Sequence, residues 1–194
     1  AIYDALVRGT DDYGGDYPSI VPLMPSGDYT GTPHLTWTDR EFERGDPVII
    51  ELSGCRHRYH SPLARTTYVG DPPAEMTERM EIVVEGLEAA LDAAEPGVTC
   101  ERVERAWRDV ISKYDIEKEE RIGYSMGLGY PPDWGEHTAS LRPGDETVLE
   151  ENMTFHMIPG LWFDDFGVEL SETFRITSNG AEVLADFPRE LFST

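Results

Sequence analysis

Residues 75–94 constrain the fold more than any other part of the chain. Met76, Met80, Val83, Val84, Leu87, Ala90, Leu91 and Ala94 recur at helical spacing, which lines them along one face of an α-helix. Pro72-Pro73 in front and Pro96-Gly97 behind set where that helix starts and stops. A second helix follows, with Thr99 as its N-cap and Val103, Ala106, Trp107, Val110, Ile111 and Tyr114 on one face. Both apolar stripes need a surface to cover, and the rest of the chain reads as strands that can supply it. Residues 19–24, 47–55, 122–126, 153–158 and 168–177 are apolar runs bounded by Gly, Pro, Asn or Asp. Residues 63–69 read as the partner of 47–55, through a connection that contains Pro62. Asn179-Gly180 predicts a hairpin turn into residues 181–184. Residues 1–8 have short helical periodicity, and residues 9–17 and 130–144 read as loops. Strands flanking two central helices, rather than alternating with them, predict an α+β domain.

Length and charge narrow the partners. A chain of 194 residues is long enough for one domain with a real core. Its 38 acidic against 16 basic residues give a net charge of -22, and only Lys113 and Lys118 among the basic residues are lysines. Such a surface repels phosphate backbones, so nucleic acid and anionic membrane are excluded as partners. An acidic, lysine-poor surface also reads as adaptation to high salt, where a Debye length of about 3 Å at 1 M makes self-repulsion tolerable. Cys55 and Cys100 form no Cys-x-x-Cys or Cys/His cluster, which predicts neither a disulfide framework nor a zinc knuckle. No apolar run approaches the ~18 residues of a membrane span, and no basic-then-apolar leader opens the chain. The expectation is a soluble cytoplasmic protein.

Glu51 stands out chemically. It interrupts the run Ile49-Ile50-Glu51-Leu52, where a carboxylate is costly without a partner or a task. Arg44-Gly-Asp-Pro-Val-Ile-Ile-Glu51, with Tyr59 and Arg65-Thr66 beyond it, resembles the catalytic domain shared by methionine aminopeptidases, proline dipeptidases and creatinase. That resemblance covers nearly the whole chain and implies the pita-bread fold, a curved antiparallel sheet backed by helices. Creatinase-like relatives carry a further N-terminal domain and work as homodimers. By the resemblance this chain is therefore a catalytic domain truncated at its N-terminus, with a homodimer expected of the longer form.

In the peptidases of this family two aspartates, a histidine and two glutamates hold a pair of divalent ions. The matching positions here are Glu51 and Pro62 for the aspartates and Tyr124 for the histidine. Ile158 stands for one glutamate, and Ser171 or its neighbour Glu172 for the other. Since proline and isoleucine ligate nothing, the expectation is a hydrolase without a metal cofactor. Creatinase's active-site histidine also falls at Tyr124, so its mechanism does not carry over.

A second set of residues is similar to the ectoine hydrolases of the same family: Gly54-Cys55-Arg56, Arg121-Ile-Gly-Tyr-Ser125, Gly129-Tyr-Pro-Pro-Asp-Trp-Gly-Glu-His137-Thr138, Leu170-Ser-Glu-Thr-Phe-Arg175 and Phe187-Pro-Arg189. The resemblance implies a small cationic or zwitterionic substrate, a cyclic amidine opened by hydrolysis of a C–N bond. An amidinium carbon between two nitrogens suits a carboxylate that attacks it or activates water, which is the role expected of Glu51. His34, matching a histidine that relatives place near the scissile group, is the expected general acid or hydrogen-bond donor. Glu172 is expected beside them, holding the second amidine nitrogen or Arg65. Arg65 fits either the substrate carboxylate or a structural salt bridge to Glu172 or Glu51. Tyr124, Tyr130, Trp134 and Trp162 can enclose a flat cation, and each also fits a plain core role. His137 and His156 complete the candidates, His156 fitting equally a core histidine. Two other readings stay open: a metallopeptidase acting on Xaa-Pro or N-terminal peptides, and a non-catalytic binding module.

Overall fold

The structure is a computed structural model that describes residues 1–10 and 13–194. Residues 11 and 12, inside the expected 9–17 loop, lie outside the described residues. The helices are α1 (Ile2–Arg8), α2 (Ala74–Ala93) and α3 (Cys100–Ile111). Among the described residues ten strands accompany them: β1 (Pro47–Arg56), β2 (Tyr59–Tyr68), β3 (Gly123–Tyr130), β4 (Asp133–Leu141), β5 (Thr154–Met157), β6 (Gly160–Trp162), β7 (Gly167–Glu169), β8 (Glu172–Thr177), β9 (Gly180–Val183) and β10 (Phe192–Ser193). Eight of them form one sheet in the order β1-β2-β3-β5-β8-β9, with β4 paired to β3 and β10 to β2; β6 and β7 form a separate hairpin. All the pairings are antiparallel except that of β10 with β2. No described helix is long and apolar enough to cross a membrane.

The two central helices form as their periodicity dictates, and their stripes bury together. Met76, Met80, Val83, Leu87, Ala90 and Leu91 of α2 join Val103, Trp107 and Ile111 of α3 against Leu141, Phe155, Met157, Phe174 and Ile176 of the sheet. Gly86 lets the helices approach: a Cβ there would come within 2.2 Å of the Trp107 ring. Tyr114 departs from the expected stripe, since the helix tightens into a 3-10 turn at Ser112–Tyr114 and the exposed tyrosine donates to Glu85.

The sheet differs from the sequence expectation in four places. Residues 19–24 form no strand: Leu23 exchanges backbone hydrogen bonds with Glu51, but Pro18, Pro22 and Pro25 interrupt any ladder for want of N–H groups. Pro62 lies inside β2 rather than in a connection, because β1 and β2 already turn at His57-Arg58. Both turn residues adopt positive φ, 50° and 68°, as a two-residue hairpin requires. Residues 130–144, expected as loop, contain β4; the β3–β4 register shifts twice, which breaks the period-two signature of a strand. Residues 168–177 divide at Leu170-Ser171 into β7 and β8, which pair with different partners.

Candidate active site

Three side chains from separate parts of the chain meet on one side of β1. His34, Glu51 and Glu169 each bring a ligand atom within 4.8 Å of the other two. Glu51 lies in β1, opposite Ala64, and is 2 % exposed. Its Oε2 is 3.9 Å from His34 Nε2, an imidazole with 56 % of its side chain exposed. The segment carrying His34 reaches β1 through Leu23, which bridges both Glu51 and Thr36. His34 itself sits at φ 61°, a left-handed conformation that costs about 1 kcal/mol or more in a non-glycine residue and is concentrated at functional sites.

Glu169 closes the trio. Its backbone is clamped by Thr66: the hydroxyl donates to the Glu169 carbonyl at 2.8 Å, and the Glu169 N–H donates back to that oxygen at 2.9 Å. The carboxyl group is 1 % exposed, and its Oε1 has no hydrogen-bond partner among the described residues. Burial, and then the charge of Glu169, push Glu51 well above the usual carboxylate range. Burial also raises Glu169, against the pull of Lys118. Two such groups this close share protons, so they do not both ionise near neutrality. His34 is pushed the other way, first by partial burial and then by Arg121 and Lys118, and stays neutral.

Behind the trio runs a satisfied polar relay. The Ala64 N–H donates to Ser171 Oγ at 2.6 Å, Ser171 Oγ meets His156 Nε2 at 2.8 Å, and His156 Nδ1 meets Tyr124 Oη at 3.0 Å. Trp134 Nε1–H donates to the same phenol at 2.8 Å. His156 is fully enclosed and pushed down to about 3 by burial, so it is a neutral link in the relay. Tyr124 is raised by burial and then by Glu51, which keeps its phenol protonated and able to donate.

The positions where the family holds ions fall within this region, and their chemistry does not fit a pair of ions. Tyr124 and Ile158 belong to one apolar cluster with Ala64, Met126 and Trp134. The Ser171 hydroxyl is engaged on both sides by the relay. Pro62 offers only a carbonyl, which already accepts from the Thr173 hydroxyl at 2.7 Å. Among these positions Glu51 alone keeps a free carboxylate. His34, Glu51 and Glu169 could serve one cation between them, but they lack the bridging and terminal oxygens of a dinuclear centre.

The other sequence candidates separate into near and far. Glu172 is not beside Glu51: it pairs with Arg65 at 2.7 Å and Arg189 at 3.1 Å. Period two explains this, since Ser171 and Ala64 meet through the relay while their neighbours Glu172 and Arg65 turn to the opposite face. Arg65 also donates to the carbonyls of Ala64, Ser171, Phe187 and Pro188, which makes it the structural salt bridge of the two roles expected for it. Tyr130 is exposed and lies against Arg58 at the β1–β2 turn. His137 is exposed and paired with Asp133 at 2.8 Å. Trp134 supports Tyr124 from within the core, whereas Trp162 stacks under the Lys118 ammonium. Sequence reasoning missed Glu169, although Val168-Glu169-Leu170 carries the signal that singled out Glu51, an acid inside an apolar run.

Comparison with known proteins identifies the family and the fold. Residues 2–178 match the model of metallopeptidase family M24. The chain is 48 % identical over 181 residues to ectoine hydrolase of Halomonas elongata, covering 93 % of this chain and 45 % of that protein. It is 33 % identical to the Xaa-Pro dipeptidase of Pyrococcus furiosus, covering 92 % of this chain and 51 % of the dipeptidase. The solved prolidase of Thermococcus sibiricus superposes with a TM-score of 0.85 at 28 % identity, over 95 % of this chain and 50 % of that one. The chain thus spans about half the length of the relatives it matches. On sequence and on the curled antiparallel sheet alike, the chain belongs to metallopeptidase family M24 and has its pita-bread fold.

Proposed function

We propose that this domain hydrolyses an amidine C–N bond in a small cyclic cation of the ectoine type, without a metal ion, and that Glu51 is the nucleophile or base. The observation that carries this reading is the enclosed Glu51–Glu169 pair, one unpaired carboxyl oxygen included. A single delocalised cation suits a pair of buried carboxyl groups that do not both ionise. The similarity to ectoine hydrolase supports the same chemistry.

The groups present suffice for a balanced ring opening. Glu51 takes a proton from water as the water oxygen bonds to the amidinium carbon, giving a neutral tetrahedral adduct. The proton that the buried pair shares, resident on Glu169 when Glu51 is ionised, passes to the ring nitrogen that leaves. As that C–N bond breaks, the adduct hydroxyl becomes an amide carbonyl and returns a proton to Glu169. The freed amine takes the proton held by Glu51, which restores the starting pair. If Glu51 attacks directly, its oxygen bonds to the amidinium carbon, Glu169 again protonates the nitrogen that leaves, and in a second step water adds to the ester-like intermediate, releasing Glu51 and the amide while the water's two protons go to Glu169 and the freed amine. Neutral His34 serves as a hydrogen-bond donor rather than as the acid.

Glu51→Gln in the chain at its full natural length should lower kcat for ectoine on the order of 10³-fold. A rate within about tenfold of wild type would overturn the role. Extensive chelation should leave that activity intact. The competing reading, a peptidase acting on Xaa-Pro peptides, follows the similarity to the dipeptidase of Pyrococcus furiosus. Dipeptide cleavage restored by about two equivalents of manganese, cobalt or zinc would establish it instead.

A further inference from the structure

We propose that Lys118 and Arg121 form a recognition site for a carboxylate carried by the substrate, so that the pocket reads a zwitterion and not a bare amidinium. The inference rests on the amidine reading above and extends it to the far end of the ligand.

Both residues lie on the segment between α3 and β3, Lys118 half-buried and Arg121 exposed, and the charges of both reach the trio: each pushes His34 down, and Lys118 also pulls on Glu169. Lys118 Nζ donates to the Gly160 carbonyl at 2.7 Å, and Gly160 stands directly opposite Glu169 in the β6–β7 register. The same ammonium sits 3.7 Å from the centroid of the Trp162 ring. On the other side the Arg121 guanidinium lies 4.7 Å from the centroid of Tyr124, whose phenol ends the relay behind Glu51. Each cation is therefore held by a ring or a carbonyl, with hydrogen-bond donors left over: an ammonium has three and a guanidinium five.

The partners these residues lack are as informative. Nine of the 16 basic residues pair with a carboxylate among the described residues. Lys113, the other lysine, is paired with Glu85 at 2.9 Å. Among the described residues neither Lys118 nor Arg121 has a carboxylate within ion-pair distance. The ammonium of Lys118 is largely enclosed, and burial lowers it to about 8, a cost that an arriving anion would offset. A substrate with positive charge alone would be repelled by both residues. One with its amidinium on Glu51 and Glu169 and a carboxylate a few bonds away would engage all four groups, and Lys118 and Arg121 would set its orientation. Arg65, whose guanidinium is spent on Glu172 and four carbonyls, has no donor to spare for that task.

The test compares ectoine with decarboxyectoine, the same ring bearing hydrogen in place of the carboxylate. The full-length wild type should prefer ectoine in kcat/KM by on the order of 10- to 100-fold, the range for a charged hydrogen bond made or lost. In Lys118→Met/Arg121→Met that preference should fall to within about threefold, mostly through KM, while Lys118→Arg should retain most of it. Near-equal use of the two rings by the wild type, or a preference untouched in the double variant, would overturn the proposal. If the wild type opens neither ring, the hydrolase reading falls by itself. The ratio of calorimetric Kd values for the two rings then decides the carboxylate site, and equal values would refute it.

Discussion

Glu169→Gln should stabilise the protein near neutral pH and lose that effect in acid. Burial lifts the Glu169 carboxyl from 4.5 to about 7, with Lys118 opposing the shift without cancelling it. A carboxyl whose folded value exceeds its unfolded one favours the fold fully below the unfolded value, and that contribution disappears as pH rises through the folded one. Above about pH 7 the wild type therefore carries a penalty. At ~1.4 kcal/mol per pH unit the interval from 4.5 to about 7 corresponds to roughly 3 kcal/mol. Glutamine keeps the shape and removes the ionisation, but it buries an amide where Oε1 found no partner, at a cost of about 1 kcal/mol. The net gain expected at about pH 8 is ~2 kcal/mol, or about 1 M in the urea midpoint at an m-value of ~2 kcal/mol/M. At about pH 4.5 the gain should vanish or reverse. Urea unfolding of both proteins at the two pH values is the assay. A variant less stable than wild type at the higher pH would refute the reasoning, since Glu169 would then be an ionised, compensated partner of Lys118. The same outcome would remove the proton that the ring-opening scheme assigns to Glu169.

Two further predictions concern the scaffold. Glu172→Ala leaves the enclosed Arg65 and its neighbour Arg189 without their carboxylate and should cost about 3 to 5 kcal/mol in urea unfolding; a loss below about 1 kcal/mol would show that the carbonyls alone satisfy Arg65. Gly86→Ala should be destabilising by about 1 to 3 kcal/mol, because the new methyl meets the Trp107 ring; a gain near 1 kcal/mol, as helix propensity alone would give, would mean that Trp107 moves aside freely.

The helices and much of the site could be read from the sequence because their signals are local. The apolar stripes of α2 and α3 lie within single helices, and prolines or a glycine mark their ends. Glu51 was legible because a lone acid in an apolar run demands an explanation, and His34 because of the resemblance. β4 was not legible: two register shifts erase the alternation that identifies a strand.

Sequence alone determined the inventory: an α+β domain, a surface dominated by negative charge, and Pro62, Tyr124, Ile158 and either Ser171 or Glu172 standing where the family resemblance puts ion ligands. Tertiary structure decided which acids meet. Glu51 and Glu169 are far apart in the chain, and only the Thr66 clamp and the β6–β7 hairpin bring the second carboxyl group to the first. The same pleat sends Glu172 to the opposite face, because neighbouring residues in extended chain point to opposite sides, and a one-residue ambiguity at Ser171 cannot be resolved without the register.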